Sequence, residues 1–193
     1  MGELVVLRHG QTEWSKSGQH TGVTDLPLLP EGEEQARELG PALAGRHFVE
    51  VWVSPRQRAR RTAELAGLQP TRVVDALVEM AYGGYEGRTT AQISADLGRD
   101  WSVWRDPVVP GATPGETLEQ VAARVDRVLD AVRPRLADGD VALVAHGHVL
   151  RVLTARYLQL APECGALFAL PAGSYGVLGR EHARPALTGW GLR

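Results

Sequence analysis

The chain has 193 residues, 44% of them hydrophobic and 23% charged, with a formal net charge of -2 and a pI near 6.3. That length suits one domain, residues 1–193, with a sizeable core. The near-neutral balance gives no global attraction to nucleic acid or to a membrane surface, and no apolar run reaches the ~18–20 residues of a membrane span. Cys164 is the only cysteine, so no internal disulfide is expected. Met1–Leu7 is too short for a charged-then-apolar leader, and a soluble cytoplasmic protein is expected.

Residues 3–8 (ELVVLR) read as a short buried strand, and a polar, glycine-containing stretch follows from Gly10 to Pro30. PEGEEQARELGPALAG begins a helix. Pro30 precedes an acidic first turn, and Ala36, Leu39 and Leu43 keep helical spacing. Pro41 is a point of kinking or early termination. VEVWVS (49–54) is a second strand, and PRQRARRTAELAGL a second helix with Pro55 near its first turn. TRVVDAL (71–77) reads as a third strand. Residues 82–116 are rich in Gly, Trp and Pro, with a short helix near 89–97. ETLEQVAARVDRVLDAVRPRLA carries an apolar helical stripe through Leu118, Val121, Val125, Val128, Leu129 and Val132. DVALVAHG (140–147) is a strand and turn, HVLRVLTARYLQL a helix, and SYGVLGRE with ARPALTGW a hairpin or two edge strands. Apolar strands alternating with helices predict an α/β three-layer sandwich with a mostly parallel central sheet flanked by helices.

LVVLRHG, VWVSPRQR and VALVAHG share one grammar: an apolar strand runs into a polar turn. Arg8, His9, Arg58 and His146 stand just past those strand ends, which a parallel sheet gathers along one edge. Two arginines and two histidines brought together repel one another unless an anion sits among them, and phosphate accepts the paired bonds an arginine offers. Arg in fact makes up 20 of the 21 Lys and Arg residues, so position rather than number carries this reading. Helix N-termini after Pro55 and Gly147 would add amide donors. A neutral imidazole in such a pocket is a nucleophile, and the cations would stabilise charge on a transferring phosphoryl group. An acid must then protonate the leaving oxygen. Glu79, in VEMAYGGYEG, is the candidate and Glu86 its rival. A protonated acid in the first step implies an acid pH optimum. The arginines oppose a bound cation, so neither metal nor other cofactor is expected.

LRHGQTEW (7–14), SPRQRARRTA (54–63), EMAYGGYEG (79–87), GET (115–117) and VAHGHVLR (144–151) occur in one order across nearly the whole chain. Together they resemble the histidine phosphatase superfamily, also called the phosphoglycerate mutase-like family. The resemblance implies that His9 becomes phosphohistidine, that Arg8 and Arg58 grip the phosphoryl oxygens, and that His146 is the pocket's second histidine. Glu79, three residues before Tyr82, falls where the family's proton donor lies. Thr21 and the Gly147 backbone would add phosphate contacts, and Gly10 would let the backbone turn tightly.

Mutases of this family carry a basic insert that grips a second phosphate. The corresponding segment here, 87–116, has only Arg88, Arg99 and Arg105. The chain looks closest to sedoheptulose-1,7-bisphosphatase-type sugar phosphatases and to small bacterial acid phosphatases of broad specificity. A metal-independent phosphomonoesterase acting on small phosphorylated metabolites is the leading expectation. A cofactor-dependent phosphoglycerate mutase and an inactive phosphate-binding module are the alternatives. Arg105 is a candidate for a second phosphate or a carboxylate, His20 for the substrate border, and Trp101 with Trp104 for an apolar wall. His148 reads as a supporting residue, Trp14, Trp52 and Trp190 read as packing residues, and the apolar C-terminal segment raises the option of a homodimer.

Overall fold

The computed structural model describes residues 2–193. Strands β1 (Leu4–Arg8), β2 (Phe48–Val53), β3 (Arg72–Val73), β4 (Asp140–Ala145), β5 (Tyr175–Glu181) and β6 (Arg184–Leu192) form one sheet in the order β3-β2-β4-β1-β5-β6. The first four run parallel, and β5 and β6 close one side antiparallel. The helices are α1 (Glu13–Ser17), α2 (Pro30–Leu43), α3 (Gln57–Leu65), α4 (Thr90–Leu97), α5 (Leu118–Val132) and α6 (Gly147–Tyr157).

Side chains alternate across a strand, and the core divides accordingly. Leu4, Val6, Trp52, Val141 and Leu143 pack with Val121, Val125 and Leu129 of α5 and with Val149 and Leu153 of α6. Val5, Leu7, Val51, Val53 and Val144 pack with Leu39 and Leu43 of α2 and with Ala59 and Ala63 of α3. These are the three layers expected from the sequence, with β1, β2 and β4 buried on both faces.

Several elements differ from expectation. The polar stretch after Gly10 contains α1, capped by the Thr12 hydroxyl on the Ser15 amide, while the Ser15 hydroxyl accepts from the Thr12 amide. Five residues are too few to display a helical stripe. TRVVDAL pairs only through Arg72 and Val73, because Asp75–Leu77 turns into a 3₁₀ helix. The long helix leaves α geometry at Val132 and ends as a 3₁₀ turn through Ala137, which contains Pro134. Pro41 lies inside α2 near its last turn without ending the helix before Leu43. Residues 162–167 form a further 3₁₀ turn.

The β5–β6 hairpin turns through His182 (φ 45°) and Ala183 (φ 67°). A two-residue hairpin loop with both residues left-handed favours Asn and Gly, because a Cβ is penalised there by about 1–2 kcal/mol. Ala183→Gly is expected to raise stability by about 1 kcal/mol, a gain of ~2–4 °C in Tm for a chain of this size. Thermal unfolding measures this, and a lower Tm contradicts it.

Candidate active site

β1 and β4 pair so that Arg8 lies opposite Ala145. The next residue of each strand is therefore a histidine beside a histidine: the His9 and His146 rings stand edge to face, 5.1 Å apart. The His9 Nδ1 lies 2.7 Å from the Gly10 carbonyl. That carbonyl can only accept, so Nδ1 carries the proton and Nε2 keeps its lone pair. Gly10 is required for room rather than for a left-handed turn, since a Cβ there would stand 2.1 Å from the Gly32 carbonyl oxygen of α2.

Arg58 and His146 are fully buried and hold one another. Arg58 Nε donates to His146 Nδ1 (3.1 Å), which leaves His146 Nε2 to donate to Ser54 Oγ (2.7 Å). The rest of the Arg58 guanidinium donates to the carbonyls of Thr24 (2.8 Å), Thr21 and Gly22 (both 3.3 Å). Glu86 fixes that loop from the other side by accepting the Gly22 and Thr24 amides. Glu86, the rival acid, is thus a loop anchor. The first amide of α3, at Gln57, donates to the Asp25 carboxylate, so this helix N-terminus serves a side chain of the protein.

Glu79 lies in an irregular segment and is buried. Its Oε1 accepts the Met80 and Val149 amides, and its Oε2 accepts the His148 amide, all at 2.9 Å. Two donors fill Oε1, while Oε2 retains a lone pair that can carry a proton.

Arg8, His9, Thr21, Glu79 and Gly147 line one cavity of about 150 Å³, and His20 lines it too. Arg8 donates through Nη1 to the Leu170 carbonyl, while its buried Nε has no partner among the described residues. The Gly147 amide opens α6 and has no acceptor within the helix. A Cβ at Gly147 would press on the Arg8 guanidinium carbon at 3.2 Å. Arg58 and His146 sit behind this lining. Arg105 does not reach it: its side chain is exposed and paired with Asp100 and Asp106. The cation the structure brings instead is Arg151. It donates to the carbonyls of Gly165 and Ala166, lies 4.4 Å over the Trp104 ring and, among the described residues, pairs with no carboxylate. Its signal in the sequence is its spacing, four residues after Gly147 and so on the same helix face. Gln19, Tyr82 and His148 complete the wall. The Tyr82 hydroxyl lies 2.6 Å from His148 Nδ1. Burial, then the charges of Glu79 and Glu86, push the Tyr82 phenol well above its ordinary range, so it stays a neutral hydroxyl.

Burial, then the charges of Arg58 and Arg8, hold His9 well below the ordinary histidine value. His146 is lowered by burial, then by His9 and Arg58. His148 is lowered by burial, then by His20 and Arg151. His20 is lowered to about 4 by burial, against the raising effect of Glu86. A base whose folded pKa is depressed takes up its proton first in the unfolded chain. Stability is therefore full above pH 6.5 and is lost as pH falls below it, by about 1.4 kcal/mol per pH unit for each such histidine. Chemical denaturation at pH 6.5 and 5.0 is expected to show a loss of several kcal/mol, and His20→Phe a shallower slope by about 1.4 kcal/mol per pH unit. A flat response would contradict the buried, neutral histidines.

Residues 4–193 match the model of the histidine phosphatase superfamily, branch 1. An acid phosphatase of Mycobacterium tuberculosis is 39% identical over 191 residues, covering 98% of this chain and 92% of its own. Sedoheptulose 1,7-bisphosphatase of Saccharomyces cerevisiae is 38% identical over 190 residues, covering 82% of this chain and 68% of its own. A 2,3-bisphosphoglycerate-dependent phosphoglycerate mutase of Cytophaga hutchinsonii is 32% identical over 179 residues, covering 89% and 84%. Among solved structures, an open reading frame product of Mycobacterium tuberculosis superposes with a TM-score of 0.92 at 38% identity, covering 99% of this chain and 97% of the other. A chain matched over nearly its whole length in sequence and in fold belongs to branch 1 of the histidine phosphatase superfamily.

Proposed function

We propose that the chain hydrolyses phosphomonoesters of small metabolites through a phosphohistidine at His9. The observation that carries this is the His9 ring: Nδ1–H is tied to the Gly10 carbonyl, the imidazole is kept neutral, and it lines the same cavity as Arg8 and Glu79. In the first half, the Nε2 lone pair attacks phosphorus, the ester P–O bond breaks, and the departing oxygen takes the proton from Glu79 Oε2. In the second, Glu79 takes a proton from water. The resulting hydroxide attacks phosphorus, and the P–N electrons return to Nε2. Arg8 and the Gly147 amide stabilise the equatorial oxygens. Arg58 supplies positive charge from behind, and its two long Nη2 bonds to carbonyls are the ones a phosphoryl oxygen would displace. His146 keeps Arg58 in place. The cluster of guanidinium groups disfavours a metal cation, and full activity with chelator is expected.

His9→Ala is expected to abolish turnover and the acid-labile, alkali-stable label left by a radioactive substrate. Retained activity would remove His9 from the mechanism. Glu79→Gln is expected to lower kcat/KM about 10²-fold or more for alkyl phosphates and far less for 2,4-dinitrophenyl phosphate, whose leaving group needs no proton.

The wall beyond the phosphoryl position offers Gln19, His20 and His148 as hydrogen-bonding groups, which suits a hydroxylated leaving group. Arg151, with no carboxylate of its own, suits a second anionic group, a role the sequence suggested for Arg105. The M. tuberculosis and S. cerevisiae relatives, named as phosphatases, support hydrolysis. A mutase would retain a bisphosphate, and Arg151 is the one cation of this wall outside the phosphoryl position. Arg151→Gln is expected to raise KM for a sugar bisphosphate by about 10-fold or more, as for a lost charge-assisted hydrogen bond, while Arg105→Ala leaves it unchanged. Steady-state phosphate release measures both, and equal effects of the two substitutions would contradict the assignment.

A further inference from the structure

Glu79 belongs to no helix or strand, yet an acid that donates to a leaving oxygen has to be held to within a fraction of an ångström. Its carboxyl is tied to the N-terminus of α6, but that does not fix the backbone carrying it. The backbone is held elsewhere. Arg124, on α5, is 7% exposed and does not line the cavity. Its Nη1 donates to the carbonyls of Ala76 (2.7 Å) and Val78 (2.8 Å), the residues leading into Glu79. Its Nε and Nη2 form a fork on the Glu116 carboxylate at 2.9 and 3.1 Å. Glu116 in turn accepts the Ala81 amide through Oε2 (2.9 Å), and its own amide donates to the Ala81 carbonyl (2.8 Å). The chain is therefore gripped on both sides of Glu79, at 76 and 78 and again at 81, by one ion pair. An ion pair partly withdrawn from water is weak as a source of stability. What this one has is geometry: one guanidinium whose fork holds a carboxylate while its remaining nitrogen holds two carbonyls.

We propose that Arg124 and Glu116 are positioning residues for Glu79, setting where its Oε2 meets the leaving oxygen. The inference rests on the reading of Glu79 as the acid. A merely structural pair would slow every substrate alike. A positioning pair slows those substrates whose leaving group needs a proton.

The experiment compares kcat/KM, which runs only through formation of the phosphoenzyme, for β-glycerol phosphate and for 2,4-dinitrophenyl phosphate. The proteins are the wild type, Glu79→Gln, Arg124→Met, Arg124→Lys and Glu116→Gln. Vanadate affinity reports that the phosphoryl site around His9 and Arg8 is intact. Expected for Arg124→Met and Glu116→Gln is a loss of about 10- to 100-fold on β-glycerol phosphate, the scale of a displaced catalytic group, with 2,4-dinitrophenyl phosphate and vanadate within ~3-fold. Arg124→Lys, a point charge without the fork, is expected to fall between. Equal losses on both esters, or no loss on either, would overturn the proposal while leaving Glu79 as the acid. If Glu79→Gln itself treats both esters alike, the reading of Glu79 falls and the proposal with it. Should Arg124→Met fail to bind vanadate, Arg124→Lys and Glu116→Gln decide by the same comparison.

Discussion

β1 and β4 pair residue for residue, Leu4 with Val141 through Arg8 with Ala145, so the two histidines that follow emerge at one level. Their rings are neighbours although 137 positions separate them in the chain. Parallel pairing places the ends of both strands on one sheet edge, and that edge is where Arg8, His9 and the start of α6 meet. A slip of one residue in this register would turn the apolar set of β1 to the wrong layers, so the core that divides Leu4 and Val6 from Val5 and Leu7 also aligns the site.

The same burial has two effects of opposite sign. It keeps His9 neutral, aided by Arg58 and Arg8, which is the state the proposed attack on phosphorus requires. It also makes the fold a poorer proton acceptor than the unfolded chain, so acid favours unfolding. Under the proposed function an anionic substrate would relieve the conflict, because a phosphate among these groups stabilises cations that burial alone disfavours. Under the proposed function, activity at low pH and stability at low pH would be different properties of one set of side chains.

The layers were legible in the chain because β1, β2 and β4 are buried on both faces and read as short apolar runs. His9, Arg8 and Gly147 were legible because each sits in a motif at the end of such a run or shortly after it, and Glu79 because of the motif EMAYGGYEG that contains it. What was not legible is tertiary. Arg105 looked like a ligand group until Asp100 and Asp106 were seen to hold it locally, whereas Arg151 was hidden in an ordinary helix and is exposed to the cavity by its phase relative to Gly147. Arg58 and His146 were recognised by their motifs, but no spacing shows that they spend most of their hydrogen bonds on the protein. The two-residue β3 lost most of its expected length because Asp75–Leu77 winds into a turn, and β-branched content alone cannot anticipate this.

The Glu79 carboxyl closes the open end of α6, taking the amides of His148 and Val149 from 69 and 70 positions away. A carboxylate is a stronger partner for helix amides than a carboxylic acid. Under the proposed cycle the group alternates between those two states within each turnover. The first turn of α6 therefore feels the reaction as a periodic loosening and tightening of its cap, and its amide hydrogens are a built-in gauge of which half of the cycle the enzyme occupies.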